Sequence, residues 1–353
     1  MRAEQSRAEQ SRAEQSRAEQ SRAEQSRAEQ SRAEQSRAEW LATLRGIAAL
    51  LVYISHLKLM VTQNLLFTIG RVGVTIFFLI TGYLTYTSYK KRTGMQYLVN
   101  RLFRMYPEYW VLLMAAFIFQ IKNVSAPCWM ANITLFNEFM GYGNILGASW
   151  MMPIQICFFV FIFFFKKYVV KSNAPKYWIL FWGMVSLGAG YLRYATGKPI
   201  PTAFPLLFLV ALLGIEFFIQ ENGKKQKADS MCCLVIFEAV LIMSTKLSYD
   251  NWLYYVVAYN IGIVLFVFMR KREWKSKLLI MLGEIGFPFF LCFDIIFSIM
   301  VRFGVCEENQ YMSVSACIIH FVLSLAFAVI VTKWVEKPIL RYGKALERKM
   351  ASK

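Results

Sequence analysis

The sequence predicts an all-α, polytopic integral membrane protein of about ten transmembrane helices, preceded by a low-complexity N-terminal repeat tail. Three observations predict it. Of 353 residues, 57% are hydrophobic and 18% charged, whereas soluble domains run at about 45–50% apolar and about 25% charged. Apolar runs of about 17–25 residues, long enough to cross a bilayer, recur along the chain. Lys and Arg gather in short clusters between those runs, concentrated in alternate connections.

The tail comes first. Residues 2–36 are seven copies of Arg-Ala-Glu-Gln-Ser, and Arg37, Ala38 and Glu39 begin an eighth before Trp40. Each copy is neutral, so the whole net charge of +18 belongs to the rest of the chain. Five residues advance a helix by about 500°, so the Ala positions spread around it and form no apolar stripe. Residues 1–39 are therefore expected as a solvated helix or disordered tail. The codons AGA GCA GAG CAG AGC spell the repeat and are also three copies of AGAGC. A slippage-prone tract of that kind would make expression phase-variable, and mixed synonymous codons in the gene would end the idea.

The apolar runs give ten spans, near 41–61, 66–88, 107–121, 145–165, 177–194, 203–220, 231–246, 251–270, 278–301 and 312–335. The connections after the second, fourth, sixth and eighth are rich in Lys and Arg, as in Lys90-Lys91-Arg92, Lys166-Lys167 and Arg270-Lys271-Arg272. The alternate connections carry few, among them Lys58, Lys122, Arg193 and Arg302. By the positive-inside rule both termini are expected in the cytoplasm. Residues 40–345 form the expected transmembrane domain and 346–353 a basic cytoplasmic tail. The basic residues form no continuous stripe, so they are read as orientation signals and not as a nucleic-acid surface.

Seven Cys without a C-x-x-C pair make no zinc or redox signature, and no metal site is expected. Cys128 and Cys306 both fall in connections placed outside the cytoplasm, so a bridge between them stays open, and nothing is built on it.

Only two His exist, His56 and His320, and both fall within spans. Ionisable groups in lipid are expensive and are candidates for function. Arg45 precedes His56 by eleven residues, about three helical turns, so the two share a face about 16 Å apart along the axis. Arg101 and Arg104 stand at i and i+3, which sets two guanidinium forks side by side, a pattern suited to phosphate oxygens. Their plainer reading is topological charge with headgroup anchoring. His320 and Asp294 read as structural, and Glu284 and Glu336 as ordinary groups near helix ends.

These segments resemble the membrane acyltransferase-3 family. Arg45 to His56 is similar to its opening helix, an Arg and a His separated by ten residues. Gly70-Arg-Val-Gly73 to Gly82-Tyr83 is similar to its glycine-spaced second span. Arg101-Leu-Phe-Arg104-Met-Tyr-Pro107 is similar to its R-x-x-R segment, and Glu336-Lys-Pro338 to its Glu-x-Pro close. The chain departs from the pattern at Gln155, where many members carry Glu, and at Phe293, where relatives often have His; no role is carried to those two positions.

The resemblance implies an O-acyltransferase of the bacterial inner membrane that moves an acyl group, most often acetyl, from acyl-CoA to a surface glycan or lipid-linked saccharide. His56 would be the base, its ordinary pKa of about 6.5 suiting proton transfer near neutrality. Arg45, always protonated, would orient the donor or offset developing charge. Arg101 and Arg104 would hold the nucleotide end of acetyl-CoA. The alternative is a polytopic transporter or glycan flippase, which would show two related halves with helices broken at matching positions.

Overall fold

The computed structural model describes residues 34–351 apart from breaks at 91, 120–122, 170–173, 224–226 and 308–309, together with residues 24, 31 and 32. Most of the repeat, and Lys91, Lys122, Lys171, Lys224 and Lys225, lie outside the described residues. Among the described residues the secondary structure is entirely helical, with no strand.

The helices are α1 (Glu34–His56), α2 (Gln63–Lys90), α3 (Gly94–Ile118), a short α4 (Ala126–Ile133), α5 (Met152–Val169), α6 (Ala174–Thr196), α7 (Ala203–Glu221), α8 (Lys227–Ser248) and α9 (Trp252–Arg272). Next come three short pieces, α10 (Lys277–Glu284), α11 (Gly286–Leu291) and α12 (Phe293–Arg302), then α13 (Val314–Val331) and α14 (Lys337–Ala351). A 3-10 turn, Gly147–Met151, leads into α5, and a π turn, Thr332–Glu336, joins α13 to α14.

Seven helical stretches are long and apolar enough to cross a membrane: α1, α2, α5 with its leading turn, α7, α8, α9, and α13 continuing into α14. Ten were expected, and three fall short for separate reasons. Every stretch of α3 long enough to cross includes Arg101, Arg104 and Glu108. The apolar content of α6 is diluted by Gly183, Ser186, Gly188 and Gly190 and by several Trp and Tyr. The span expected over 278–301 is broken twice, at Ile285 and Cys292. Pro288 has no N–H to give the Glu284 carbonyl, and its ring crowds that carbonyl, which ends α10.

The centre of the bundle is α7. It is apolar on every face, as a helix surrounded by others must be, and every residue from Pro205 to Ile219 is buried. Its one charged residue in that stretch, Glu216, accepts a hydrogen bond from Ser230 at 2.8 Å. Without a hydrophobic force between helices in lipid, small residues set the close approaches. Gly82 lies against the Ala211 backbone and Gly214 against Leu79, so α2 and α7 meet backbone to backbone. Gly262 of α9 packs on Thr75 of α2. Gly46 of α1 and Gly283 of α10 face one another in the same way: a side-chain carbon at either would run into a backbone carbonyl of the other helix, that of Leu279 or that of Ala42. Outward, Met184, Val235, Met243, Val264, Phe268, Ile318, Val322 and Ile330 are exposed on α6, α8, α9 and α13. An apolar belt on that scale has lipid as its solvent.

Cys128 is buried beside the Gly143 carbonyl and Cys306 is half-buried; both are free thiols.

Candidate active site

The three arginines singled out from the sequence converge. Arg45 of α1 and Arg101 and Arg104 of α3 line one cavity of about 470 Å³. Exposed Arg104, Glu284 and Lys337 stand at its mouth, and buried Met151 and Phe290 close its floor. The helix carrying two of them is set by a capping box. Thr93 accepts from the Gln96 N–H, while the Gln96 side chain accepts from the Thr93 N–H at 2.9 Å. Arg101 and Arg104, further along the same helix, reach the cavity.

Arg101 is buried, donates to the Ser88 hydroxyl at 2.8 Å and lies between the Tyr97 and Phe159 rings, at 5.3 and 5.4 Å from their centroids. Among the described residues Arg45 and Arg104 make neither ion pair nor hydrogen bond. Three guanidiniums thus share one cavity, two of them without a hydrogen bond or ion pair, and carboxyl groups in the same cavity partly offset their charge.

Sequence reasoning missed part of this site. Glu108, 2% exposed, faces the cavity from one turn beyond Arg104, and Glu336, read as an ordinary helix-end group, enters from the π turn together with buried Thr332. The Glu108 and Glu336 carboxyls meet in hydrogen-bonding contact. Glu108 could have been found as an acid inside an apolar helix, four residues from Arg104 and therefore on its face. Gln155, in the family's Glu position, donates to the Thr81 hydroxyl at 3.2 Å on the cavity wall.

His56 does not line this cavity. It sits half-buried at the far end of α1, its ring 5.7 Å from that of Phe293, with Asp294 as its charged neighbour. Asp294 is held by the Gly147 N–H at 2.5 Å, and a side-chain carbon at Gly147 would lie 3.2 Å from Asp294 Oδ2 and 3.7 Å from His56 Cε1. Asp294 is therefore part of the His56 surroundings. The 3-10 turn separates the two places: Met151 at one end floors the arginine cavity, while Gly147 at the other touches the His56–Asp294 pair. The two breaks in the ninth span supply both, since Glu284 follows Gly283 into the cavity mouth and Asp294 opens α12 after Cys292.

His320 is held on both ring nitrogens by hydrogen bonds. Its Nε2–H donates to the Phe293 carbonyl at 3.2 Å, which fixes the tautomer and leaves Nδ1 to accept from Tyr53 O–H at 2.6 Å and Ser324 O–H at 3.2 Å. Phe293, where relatives often have His, lies against His320 at 4.3 Å between ring centroids and separates it from His56.

Residues 38–333 match the family model described as an acyltransferase domain, that of the membrane acyltransferase-3 family. No curated protein and no solved structure matches the chain.

Proposed function

The chain belongs to the membrane acyltransferase-3 family and is a membrane acyltransferase; from that premise we propose that it is an O-acetyltransferase moving an acetyl group from acetyl-CoA to a hydroxyl of a surface glycan such as lipooligosaccharide. The observation that carries this reading is the convergence of Arg45, Arg101 and Arg104 on one cavity with an open mouth. Bidentate guanidinium forks suit the donor's phosphates better than point charges would. The basic clusters support a reading in which both termini and this mouth face the cytoplasm of a bacterial inner membrane, where acyl-CoA is found.

With its phosphates at Arg101 and Arg104, the donor extends inward past Arg45 toward the 147–151 turn. Transfer requires the floor at Met151 and Phe290 to part, so that the thioester meets the acceptor beside His56. The acceptor hydroxyl then gives its proton to the imidazole as its oxygen forms the new ester bond. The C–S bond breaks, and the imidazolium returns the proton to the departing thiolate. Asp294, fixed by the Gly147 amide, offsets the charge on the imidazolium. Arg45 cannot be the base and serves to steady the donor.

The test is transfer itself. Membranes holding the chain, given acetyl-CoA labelled in the acetyl group, should label envelope glycan, and the glycan should gain the mass of one acetyl group. Equal labelling in membranes without the chain would discard the proposal.

A further inference from the structure

A fourth arginine lies within a spanning helix. Arg71 of α2 is near the Gln63 end, whereas Thr81 and Leu84 of the same helix line the arginine cavity. Its Cζ is 3.6 Å from the centre of the Tyr255 ring. That ring stacks on Tyr249 at 4.1 Å with 14° between planes, and Arg193 Cζ is 4.7 Å from the Tyr249 centre. A stacked neighbour fills one face of a ring, so each guanidinium takes the other face. The result is a pile of four side chains, two rings between two cations.

The two ends of the pile differ. Arg193 donates to the Ile200 carbonyl at 3.2 Å, and the Tyr249 hydroxyl meets that of buried Thr202 at 2.7 Å. Among the described residues the Arg71 guanidinium has neither hydrogen bond nor ion pair; its neighbours are the Tyr255 face and, at 5.8 Å, the ring of Phe67. Cation–π attraction offsets only part of what a guanidinium costs in a spanning helix, because its five N–H donors still need oxygen. One end of the pile is closed and the other is open.

Depth and surroundings name the missing partner. Helical side chains lean toward the N-terminal end, and the nearness of Phe67 sets the Arg71 guanidinium about 6 Å inside the Gln63 end of α2. The polar zone of one leaflet is about 5–7 Å thick, so this is headgroup level. Inward from Tyr255, α9 presents exposed Val257, Ile261, Val264 and Phe268 in one stripe, a track for an acyl chain. A choline-type cation would be repelled by both guanidiniums. A sugar would find both faces of Tyr255 and Tyr249 taken.

We propose that Arg71 is a binding site for the phosphate of an anionic membrane lipid in the leaflet opposite the arginine cavity, its fork on the two free phosphate oxygens and the lipid's chain along the α9 stripe. Tyr255 holds the fork flat and Tyr249 backs Tyr255. The site does not depend on the acyl-transfer reading. Gly70, beside Arg71, packs on Ser55, beside His56, so the bound phosphate would lie at the depth of the imidazole.

Mass measurement of the intact full chain in detergent, titrated with phosphatidylglycerol or phosphatidylcholine, counts the lipids held. Wild type should hold phosphatidylglycerol about tenfold more tightly, because choline shields its own phosphate. Arg71→Gln should hold one phosphatidylglycerol fewer, with phosphatidylcholine unchanged and the unfolding temperature in phosphatidylcholine close to wild type. Tyr255→Phe keeps the ring face and should bind as wild type does, whereas Tyr255→Leu should lose the same lipid as Arg71→Gln. Should Arg71→Gln fail to fold, Arg71→Lys, which keeps the charge without the fork, carries the comparison and should bind about tenfold more weakly.

Equal retention of the two lipids by wild type overturns the proposal, as does a full count of phosphatidylglycerol in Arg71→Gln. Displacement of that lipid by millimolar inorganic phosphate would assign the fork to a free anion and overturn the lipid site.

Discussion

Gly283→Ala tests whether the cavity depends on the backbone contact of α1 with α10. A side-chain carbon at Gly283 would lie 3.0 Å from both Gly46 N and the Ala42 carbonyl carbon, with the Ala42 oxygen nearer still. All of these are backbone atoms, so no side chain can turn aside. Relief requires the two helices to part, and Arg45 and Glu284 adjoin the two glycines on opposite sides of the contact. Parting by about 1 Å moves Arg45 relative to Arg101 and Arg104 on α3, the scale at which misplacement costs an enzyme about 10²-fold. The overpacking itself should cost about 1–3 kcal/mol.

The comparison is Gly262→Ala, where α9 meets Thr75 of α2 and a side-chain carbon would lie 2.7 Å from Thr75 Cγ2, away from the cavity. Thermal unfolding in detergent should fall for both variants. Acetyl-CoA affinity and glycan labelling in nanodiscs should fall about 10²-fold for Gly283→Ala only. If the two variants lose affinity alike, or if Gly283→Ala binds donor as wild type does, the coupling of this contact to the arginine cavity is refuted.

Two further outcomes are expected. His56→Ala should abolish glycan labelling while acetyl-CoA still binds, whereas Arg101→Ala and Arg104→Ala should weaken donor binding at least tenfold with normal insertion; labelling at the wild-type rate by His56→Ala would remove the imidazole from the mechanism. Tyr53→Phe should lower stability by about 1 kcal/mol, because His320 Nδ1 loses one of its two O–H donors. His320→Leu should cost more, since it strands the Tyr53 hydroxyl and the Phe293 carbonyl together; unfolding temperatures equal to wild type in both would show that this network contributes nothing.

Much of the site was legible along one helix or within one short segment. Arg101 and Arg104 are three residues apart, so a single helix settles their proximity, and the structure keeps it. The eleven-residue step from Arg45 to His56 gave the correct helix but not a common chamber. Sharing a face says nothing about what packs against it at each level, and here the 147–151 turn comes between. Glu336 was visible only as an acid near a helix end. Its place opposite Glu108 arises from contact between α3 and the π turn, more than two hundred residues apart in sequence. Pro288 is a local signal for the break in the ninth span, masked by the apolar run that continues on both sides of it.

The chain alone determined that this is a helical membrane protein, because lipid-facing residues must be apolar wherever they fall and the backbone must bond within its own helix. It determined the pairing of neighbouring arginines, because helical spacing is local. Which charges share a chamber, which histidine is committed to a carbonyl and which stands beside a carboxylate, and where a long apolar run is interrupted to deliver Glu284 and Asp294 were decided by the tertiary structure. Those outcomes depend on how closely helices approach at Gly46 and Gly283 and on what fills the space between them, and neither quantity is a property of any one segment.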